Sequence, residues 1–251
     1  MLSDEELTRY ARQIVLPEFG GAGQQRLKAA RVLIVGAGGI GAAVIPVLAG
    51  AGVGALTIVD PDVAEPSNLH RQPIYRLRDV GEPKAALAAQ FVRRLNPNVE
   101  VAGIERGIDR DNAPALLAGH DLVIDGTDNF ETRLVVSDAC VVAGLPLISA
   151  AAAQWQGQVG LFRARPCYRC FVGDAFDADD CDNCAELGVT GALTGLAGNL
   201  AAMLALRMLG HAGEVRAGQL HVIDALATSQ RAIRIVADPA CKSCGGASDR
   251  S

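Results

Sequence analysis

The sequence predicts an α/β fold, with a mostly parallel sheet covered by helices on both faces and an antiparallel extension toward the C terminus. Three observations support this prediction. Apolar runs at residues 32–35 and 55–59 flank a helical segment at 42–51, which is the order of a β-α-β unit. Strand-like and helix-like segments then continue to alternate along the chain. With 251 residues, 50% of them hydrophobic, the chain can bury one large core.

Hydrophobic periodicity and the positions of glycine and proline locate the other elements. We expect helices at residues 3–16, 24–30, 82–96, 112–118 and 130–143, and strands at 99–104, 121–125, 146–151, 157–162, 219–224 and 231–236. Ser3 and Glu6 have the spacing of a capping box, and residues 20–23 are expected to form a loop. The apolar segment 188–209 is long enough to span a membrane, but its repeated glycines favour a buried helix.

We expect a single domain in three parts: a helical arm at 1–30, a nucleotide-binding core at 31–165, and a C-terminal part at 166–251 tied by a metal, with a mobile loop at about 172–186. The formal net charge of −5 argues against a protein that coats DNA. The acidic N terminus shows no secretory signal, and seven cysteines without such a signal indicate a reducing compartment. A cytoplasmic protein without a membrane partner is therefore expected.

The main functional signal follows the first strand, where glycines recur at G-x-G-x-x-G spacing. The pattern uses Gly36, Gly38 and Gly41, with Gly39 between them. Such glycines allow a tight turn, let the backbone approach a phosphate and permit close helix packing, while the next helix presents free N–H groups to anions. Asp60, at the end of the second strand, is placed to accept hydrogen bonds from a ribose. Packing alone also produces glycine-rich turns, but strand, helix and acid together favour a Rossmann-like nucleotide site.

The residues after the second strand favour a nucleoside triphosphate over a dinucleotide. They include Asp62, Asn68, Arg71 and Gln72, with Lys84 further on. A dehydrogenase binds a pyrophosphate without excess charge, whereas an arginine and a lysine near the glycine loop can counter a triphosphate. The alternative is that both cations are ordinary surface charges.

A second strand-to-helix junction reads Asp125-Gly126-Thr127-Asp128-Asn129. Residues just beyond the carboxyl ends of parallel strands line the ligand crevice, so Asp128 is expected beside the phosphates, where a carboxylate can bind Mg²⁺. The alternative role for Asp128 is to cap the helix 130–143, although Thr127 and Asn129 could do so equally well.

Four of the cysteines form two C-x-x-C pairs that are far apart in the chain, Cys167 with Cys170 and Cys241 with Cys244. Two such pairs can complete a closed tetrahedral zinc site, which would be structural. A redox-active pair is the alternative, and the presence of two matching pairs favours the metal. Cys140 lies in an apolar helix and is expected in the core. The remaining cysteines, Cys181 and Cys184, lie in an acidic loop.

Together, GAGGIG, IVDPD, SNLHRQ, EPK, DGTDN and the two C-x-x-C pairs resemble the MoeB/ThiF family of adenylyltransferases, relatives of the ubiquitin-activating enzymes. The resemblance extends from about Leu7 to Gly246. It implies a homodimer that uses ATP, Mg²⁺ and a structural Zn²⁺ to adenylate the C-terminal glycine of a ubiquitin-like sulfur-carrier protein with a Gly-Gly tail. The implied pathways are molybdopterin and thiamine biosynthesis.

The resemblance also implies roles for individual residues. Asp128 would bind the magnesium ion, Asn129 and Arg133 would lie beside the nucleotide, and Arg12 would contact phosphates in the site of the partner subunit. Cys184 matches a family cysteine that in some members attacks the acyl-adenylate or carries persulfide sulfur, although neighbouring carboxylates raise the pKa of a thiol and nothing local activates it. Few residues follow Cys244, so we expect the sulfur to come from a separate donor protein.

Three other functions remain open at this stage. An NAD-dependent oxidoreductase would share the glycine pattern and the acid but would leave the Arg71 and Lys84 pair unexplained. A zinc-stabilised binding module would bind a partner without ATP turnover. Within the same superfamily, a tRNA-modifying dehydratase that activates a small carboxylate is a further possibility.

Overall fold

The computed structural model describes residues 1–173 and 188–245, in which eight strands form one sheet. The strand order is β3-β2-β1-β4-β5-β6-β7-β8. The strands are β1 (Arg31–Val35), β2 (Ala55–Val59), β3 (Glu100–Ile104), β4 (Leu122–Asp125), β5 (Leu147–Ala153), β6 (Gln156–Phe162), β7 (Gln219–Asp224) and β8 (Ser229–Arg234). Pairs among β1 to β5 are parallel, and pairs from β5 to β8 are antiparallel. The predicted fold class is confirmed.

Helices cover both faces of this sheet. They are α1 (Asp4–Arg9), α2 (Ala11–Ile14), α3 (Gly20–Ala29), α4 (Gly41–Ala51), α5 (Lys84–Leu95), α6 (Ala113–Leu117), α7 (Phe130–Ala143), α8 (Tyr168–Val172) and α9 (Gly191–Gly210). Alternate residues of the strands point to opposite faces, so each strand contributes to two cores. In β1, Val32 and Ile34 pack with α4 and α9, whereas Leu33 and Val35 pack with α6 and α7. Strands buried on both faces explain the continuous apolar runs in the sequence.

The N-terminal arm differs from the prediction in two places. The capping box of Ser3 and Glu6 is present, but the predicted helix 3–16 is interrupted at Tyr10, whose buried hydroxyl accepts a hydrogen bond from Asn96 Nδ2 at 2.8 Å. The predicted loop at 20–23 is wrong, because α3 already begins at Gly20. Burial of Leu27 and other residues on one side of α3 outweighs the low helix propensity of its glycines.

Helix α9 is, in the described part of the chain, the one helix whose length and composition would suit a membrane span. Its buried side, which includes Leu193, Ala197 and Ala201, packs on α4, β5 and β6. Small residues allow this close approach, and the predicted buried helix is confirmed. Toward the C terminus, β8 begins two residues before the predicted strand 231–236, because the hairpin pairs Asp224 with Ser229.

Candidate functional site

A cleft of about 930 Å³ opens at the carboxyl ends of β1 and β4. The chain leaves β1 toward β2 on one side, and β4 follows on the other, so this is the point where the strand order reverses. Ligand crevices in open α/β sheets lie at such points. Helices α4, α5, α7 and α9 all begin at or beside the cleft, so their free N–H groups and positive dipole ends favour an anionic ligand.

The glycine loop forms one wall of the cleft. Gly36 has φ of +92°, which a residue with a side chain rarely adopts, and a Cβ on Gly41 would lie 2.2 Å from the Gly36 carbonyl oxygen. Two side chains then hold the peptide groups of Ala37. Its N–H donates to Asp60 Oδ2 at 2.7 Å, and its carbonyl accepts from the Tyr75 hydroxyl at 2.8 Å. The loop is therefore fixed in shape from both sides.

Asp60 lines the cleft but is almost fully buried. Its second oxygen accepts the N–H of Asp62 at 2.8 Å, so both carboxylate oxygens already bind backbone groups. Burial raises the pKa of Asp60, while the N–H donors of Ala37 and Asp62 oppose that rise. Its immediate role is to shape the glycine loop, and a contact with a ribose stays a prediction.

The two cations predicted to counter phosphate charge both line the cleft. Lys84, the first residue of α5, is only 5% exposed, which rules out an ordinary surface lysine, and its Nζ lies 3.0 Å from Asp62 Oδ2. Arg71 is half-buried, and its Nη1 donates to the Ser67 carbonyl at 3.0 Å and lies 2.9 Å from His70 Nε2. Both cations are thus held in place at the cleft by neighbouring groups.

The opposite wall is the loop between β4 and α7. The buried Asp125 accepts from the N–H and the hydroxyl of Thr127 at 3.0 and 2.7 Å, and Arg133 Nε donates to the Thr127 carbonyl at 3.0 Å. Asn129 caps α7 by accepting the N–H of Thr132 at 2.8 Å. The capping alternative for Asp128 is therefore wrong. Asp128 is exposed in the cleft and, among the described residues, its carboxylate has no protein partner.

Two polar residues at the floor complete the cleft. Asn68 is buried and accepts the N–H of Glu65 at 3.2 Å. Gln72 is 2% exposed, and its Oε1 finds no hydrogen-bond donor in the described parts of the chain. A buried acceptor of this kind fits a ligand that brings a donor, such as a hydroxyl or an amino group. Together with Asp128, Arg71 and Lys84, these groups fit a nucleoside triphosphate with a divalent cation.

A second site lies beside the C-terminal half of α7, where the two C-x-x-C pairs meet. The ligand atoms of Cys167, Cys170, Cys241 and Cys244 all lie within 4.8 Å of one another. The sulfur–sulfur separations are 3.5 Å for Cys167 with Cys241 and 3.4 Å for Cys170 with Cys244. Four sulfurs about 2.3 Å from a central zinc ion would be roughly 3.8 Å apart. The predicted cysteine cluster is therefore present, with dimensions close to those of a tetrahedral zinc site.

Comparisons with known proteins agree with this arrangement. Residues 10–244 match the model of the ThiF family. The chain is 44% identical to the sulfur carrier protein adenylyltransferase of Thermus thermophilus, over 96% of this chain and 92% of that protein. It is 41% identical to the molybdopterin-synthase adenylyltransferase of Salmonella typhimurium, over 97% and 98%. The chain belongs to the ThiF family.

A solved structure of E. coli MccB, in complex with MccA-N7isoASN, superposes with a TM-score of 0.85 over 98% of this ThiF-family chain and 76% of that one. At 23% identity this likeness concerns the fold alone. The overall fold is thus that of a known architecture.

In this ThiF-family chain, most of the predicted nucleotide-binding residues meet in one cleft. They are Gly36, Gly38, Gly39, Asp60, Asp62, Asn68, Arg71, Gln72, Lys84, Asp128, Asn129 and Arg133. Gly41 lies directly behind the loop. Cys184 and Cys181 lie outside the described residues.

Arg12 is not among the residues that line the cleft. It lies in α2, two residues after Tyr10, whose side chain contacts Gly52 and Asn96. Those two residues end α4 and α5, the helices that begin at the cleft, so Arg12 is at the opposite end of the sheet, about 16 Å away along α4. Within one chain Arg12 therefore does not join the site.

Two residues that shape the site were not identified from the sequence. Tyr75 and Asp125 do not line the cleft, yet one fixes the Ala37 peptide and the other fixes Thr127. Tyr75 belongs to no ligand-binding pattern, and Asp125 lies in the Asp125–Asn129 junction, where the sequence pattern gave a role to Asp128 and none to Asp125. Burial of a phenol or a carboxylate in an otherwise apolar core is their distinguishing feature, and it is visible only in the fold.

Proposed function

We propose that this ThiF-family protein is an ATP-dependent adenylyltransferase that activates the C-terminal glycine of a ubiquitin-like sulfur-carrier protein. The observation that carries the proposal is the convergence, in one cleft, of a rigid glycine loop, the buried cation Lys84 and the carboxylate of Asp128, which has no partner among the described residues. Relatives named for this activity, over 40% identical across nearly the whole chain, support the choice of substrate.

Each part of the cleft has a role in binding magnesium–ATP. The glycine loop and the helix N-termini hold the phosphates, and Asp60 and Asn68 hold the ribose. Arg71, Lys84 and Arg133 counter the negative charge, and Asp128 binds Mg²⁺, which neutralises charge on the phosphate oxygens. Lys84 leaves Asp62 for a phosphate oxygen, and Gln72 accepts a hydrogen bond from the ligand.

The reaction requires positioning more than proton transfer. An oxygen of the terminal carboxylate attacks the α-phosphorus, the bond from that phosphorus to the β-phosphate oxygen breaks, and pyrophosphate leaves from an acyl-adenylate. A carboxylate is already ionised at neutral pH, so a general base is not needed. The protein contributes alignment and fixed positive charge where negative charge develops.

Magnesium-dependent exchange between ATP and pyrophosphate tests the proposal. We expect exchange only when a sulfur carrier with a Gly-Gly tail from the same source is added, and loss of exchange when its last glycine is removed. Testing candidate carriers one at a time also distinguishes the molybdopterin from the thiamine pathway. ATP binding without exchange for every carrier would contradict the proposal and favour the tRNA-modifying or non-catalytic alternatives.

We further propose a homodimer in which Arg12 of one subunit completes the cleft of the other. The position of Arg12 at the far end of its own sheet supports a contact from the partner. Arg12→Ala and Asp128→Ala should each be inactive alone. After the two variants are mixed and exchanged, one intact cleft forms per mixed dimer, which restores about a quarter of the sites. No recovery in dimers that are shown to be mixed would contradict the contact in trans.

The four-cysteine cluster is proposed as a structural zinc site, because four protein ligands leave no open position for a reacting group. Cys184 is proposed to act after adenylation, with sulfur delivered by a separate donor protein in the cytoplasm. Cys184→Ser should retain carrier-dependent exchange and lose sulfur transfer to the carrier. Unimpaired sulfur transfer by this variant would exclude Cys184 from the reaction.

A further inference from the structure

We propose that Asp138 is the shared anchor of the two cysteine pairs, a single carboxylate that holds both in a metal-binding arrangement on helix α7. This inference rests on the proposed zinc site and assigns a positioning residue outside the four ligands. Asp138 lies near the middle of α7. Two neighbouring residues of this helix, Val136 and Cys140, are buried in the core.

The first contact joins Asp138 to the pair Cys167 and Cys170. Arg169, located between these cysteines, donates from Nε to Asp138 Oδ1 and from Nη2 to Asp138 Oδ2, each at 2.8 Å. A two-pronged arginine–carboxylate contact fixes orientation as well as distance. The side chains are 14% and 35% exposed, so the pair is partly shielded from solvent.

The second contact joins the same carboxylate to the other pair. Ser243, located between Cys241 and Cys244, donates its hydroxyl to Asp138 Oδ1. One carboxylate thus contacts the middle of both C-x-x-C segments. These segments are far apart in the chain, with 74 positions from Cys167 to Cys241. Val141, one turn further along α7, also packs against the cysteine cluster.

The physical consequence is preorganisation. Without a fixed support, a metal ion would have to order two separate segments and would lose binding free energy to their conformational entropy. Asp138 brings both segments to one surface beforehand. Groups that orient metal ligands in this way typically change metal affinity by about 10- to 100-fold when they are removed.

Zinc competition with a chromogenic chelator tests the inference on the full-length protein. The wild type should contain one zinc ion per chain, and Asp138→Ala should bind it about 10- to 100-fold more weakly. Arg169→Ala and Ser243→Ala should each have a smaller effect. The double variant Asp138→Ala with Arg169→Ala should be close to Asp138→Ala alone, because the contact is already absent. Glu214→Gln, which removes an exposed ion pair with Arg216, is the control and should match the wild type.

The outcomes separate the inference from the proposed metal. If the wild-type protein contains no stoichiometric zinc, both the proposed zinc site and the anchor role of Asp138 are overturned. Tight zinc binding by Asp138→Ala, or strictly additive losses in the double variant, overturns the anchor role and leaves the zinc site standing. Should Asp138→Ala fail to fold, Ser243→Ala decides, since it leaves the arginine contact in place, and unchanged zinc affinity in that variant also contradicts the proposal.

Discussion

The two halves of the sheet are stabilised in different ways. In the parallel half, β1, β2 and β4 are buried, and polar groups near their carboxyl ends are held by hydrogen bonds, such as those of Asp60 and Tyr75 to Ala37. In the antiparallel half, β8 is an edge strand whose residues are all exposed, and the segment after it returns to α8 through the cysteine cluster. We infer that the ligand-binding half keeps its shape by packing, whereas the exposed C-terminal edge of the sheet needs the cysteine cluster to hold it in place.

This contrast indicates where the proposed metal would matter. The cleft uses buried side chains to preorganise backbone groups, so its geometry exists before a ligand arrives. Strand β8 has no buried residue, and we expect it and the segment after it to gain order from the cysteine cluster and its support on α7. Substitutions in the cleft should therefore change mainly ligand binding and activity, and substitutions at the cysteine cluster should change mainly the local stability of the last strands.

The largest effect is expected on pyrophosphate exchange when a charged side chain is removed from the cleft. Asp128→Ala and Lys84→Ala should each lower carrier-dependent pyrophosphate exchange by about 100-fold or more, because the first removes the proposed Mg²⁺ ligand and the second removes a fixed positive charge beside the phosphates. The folded state should persist, as judged by thermal unfolding. Glu131→Gln, an exposed carboxylate near Asp128 but outside the cleft, is the matched control and should keep full exchange. Full exchange by either alanine variant would remove that residue from the site.

The next largest effect is expected on removing the metal. Chelation, or Cys241→Ser, should raise backbone hydrogen exchange in β7, β8 and α8, while β1 and β4 remain protected by their packing. Hydrogen–deuterium exchange of the full-length protein, followed by mass spectrometry, measures both regions in one experiment. Equal loss of protection in β1 and β7 would mean that the two halves are not stabilised separately.

A smaller effect is expected at the support of the glycine loop. Tyr75→Phe leaves the buried Ala37 carbonyl without its hydroxyl donor, which costs about 1–3 kcal/mol and should weaken ATP binding by roughly tenfold. Tyr10→Phe is a matched control, because it removes a buried hydroxyl bonded to Asn96 at the opposite end of the sheet. Titration calorimetry with ATP should show weaker binding by Tyr75→Phe and unchanged binding by Tyr10→Phe. Equal ATP affinities would show that the loop does not need this hydroxyl.

The smallest effect concerns Cys140 on α7, between the two halves. Burial raises the pKa of this thiol to about 12, so it stays protonated at neutral pH and should not react with a thiol reagent in the folded protein. It should react once the protein is unfolded. Rapid modification of native Cys140 would indicate that α7 opens locally.

Most of the fold and the cleft followed from local patterns. Apolar runs, the glycine spacing and the junction at Thr127–Asn129 located the strands and the cleft, because in parallel sheets the residues after each strand meet at one edge. The interruption at Tyr10 and the early start of α3 could not be predicted, since both depend on contacts with distant segments. The same holds for Tyr75 and Asp138, whose partners are distant in the chain, whereas Asp125 binds Thr127 two residues away and only its burial depends on the complete fold.

The central claim is that the cleft transfers AMP to a carrier carboxylate, and intact mass spectrometry of the carrier tests it most directly. After incubation with magnesium–ATP and the protein, the carrier should gain the mass of one adenylyl group, and the gain should vanish with Asp128→Ala or with a carrier that lacks its last glycine. An unmodified carrier under conditions in which the protein binds ATP and carrier together would contradict the claim.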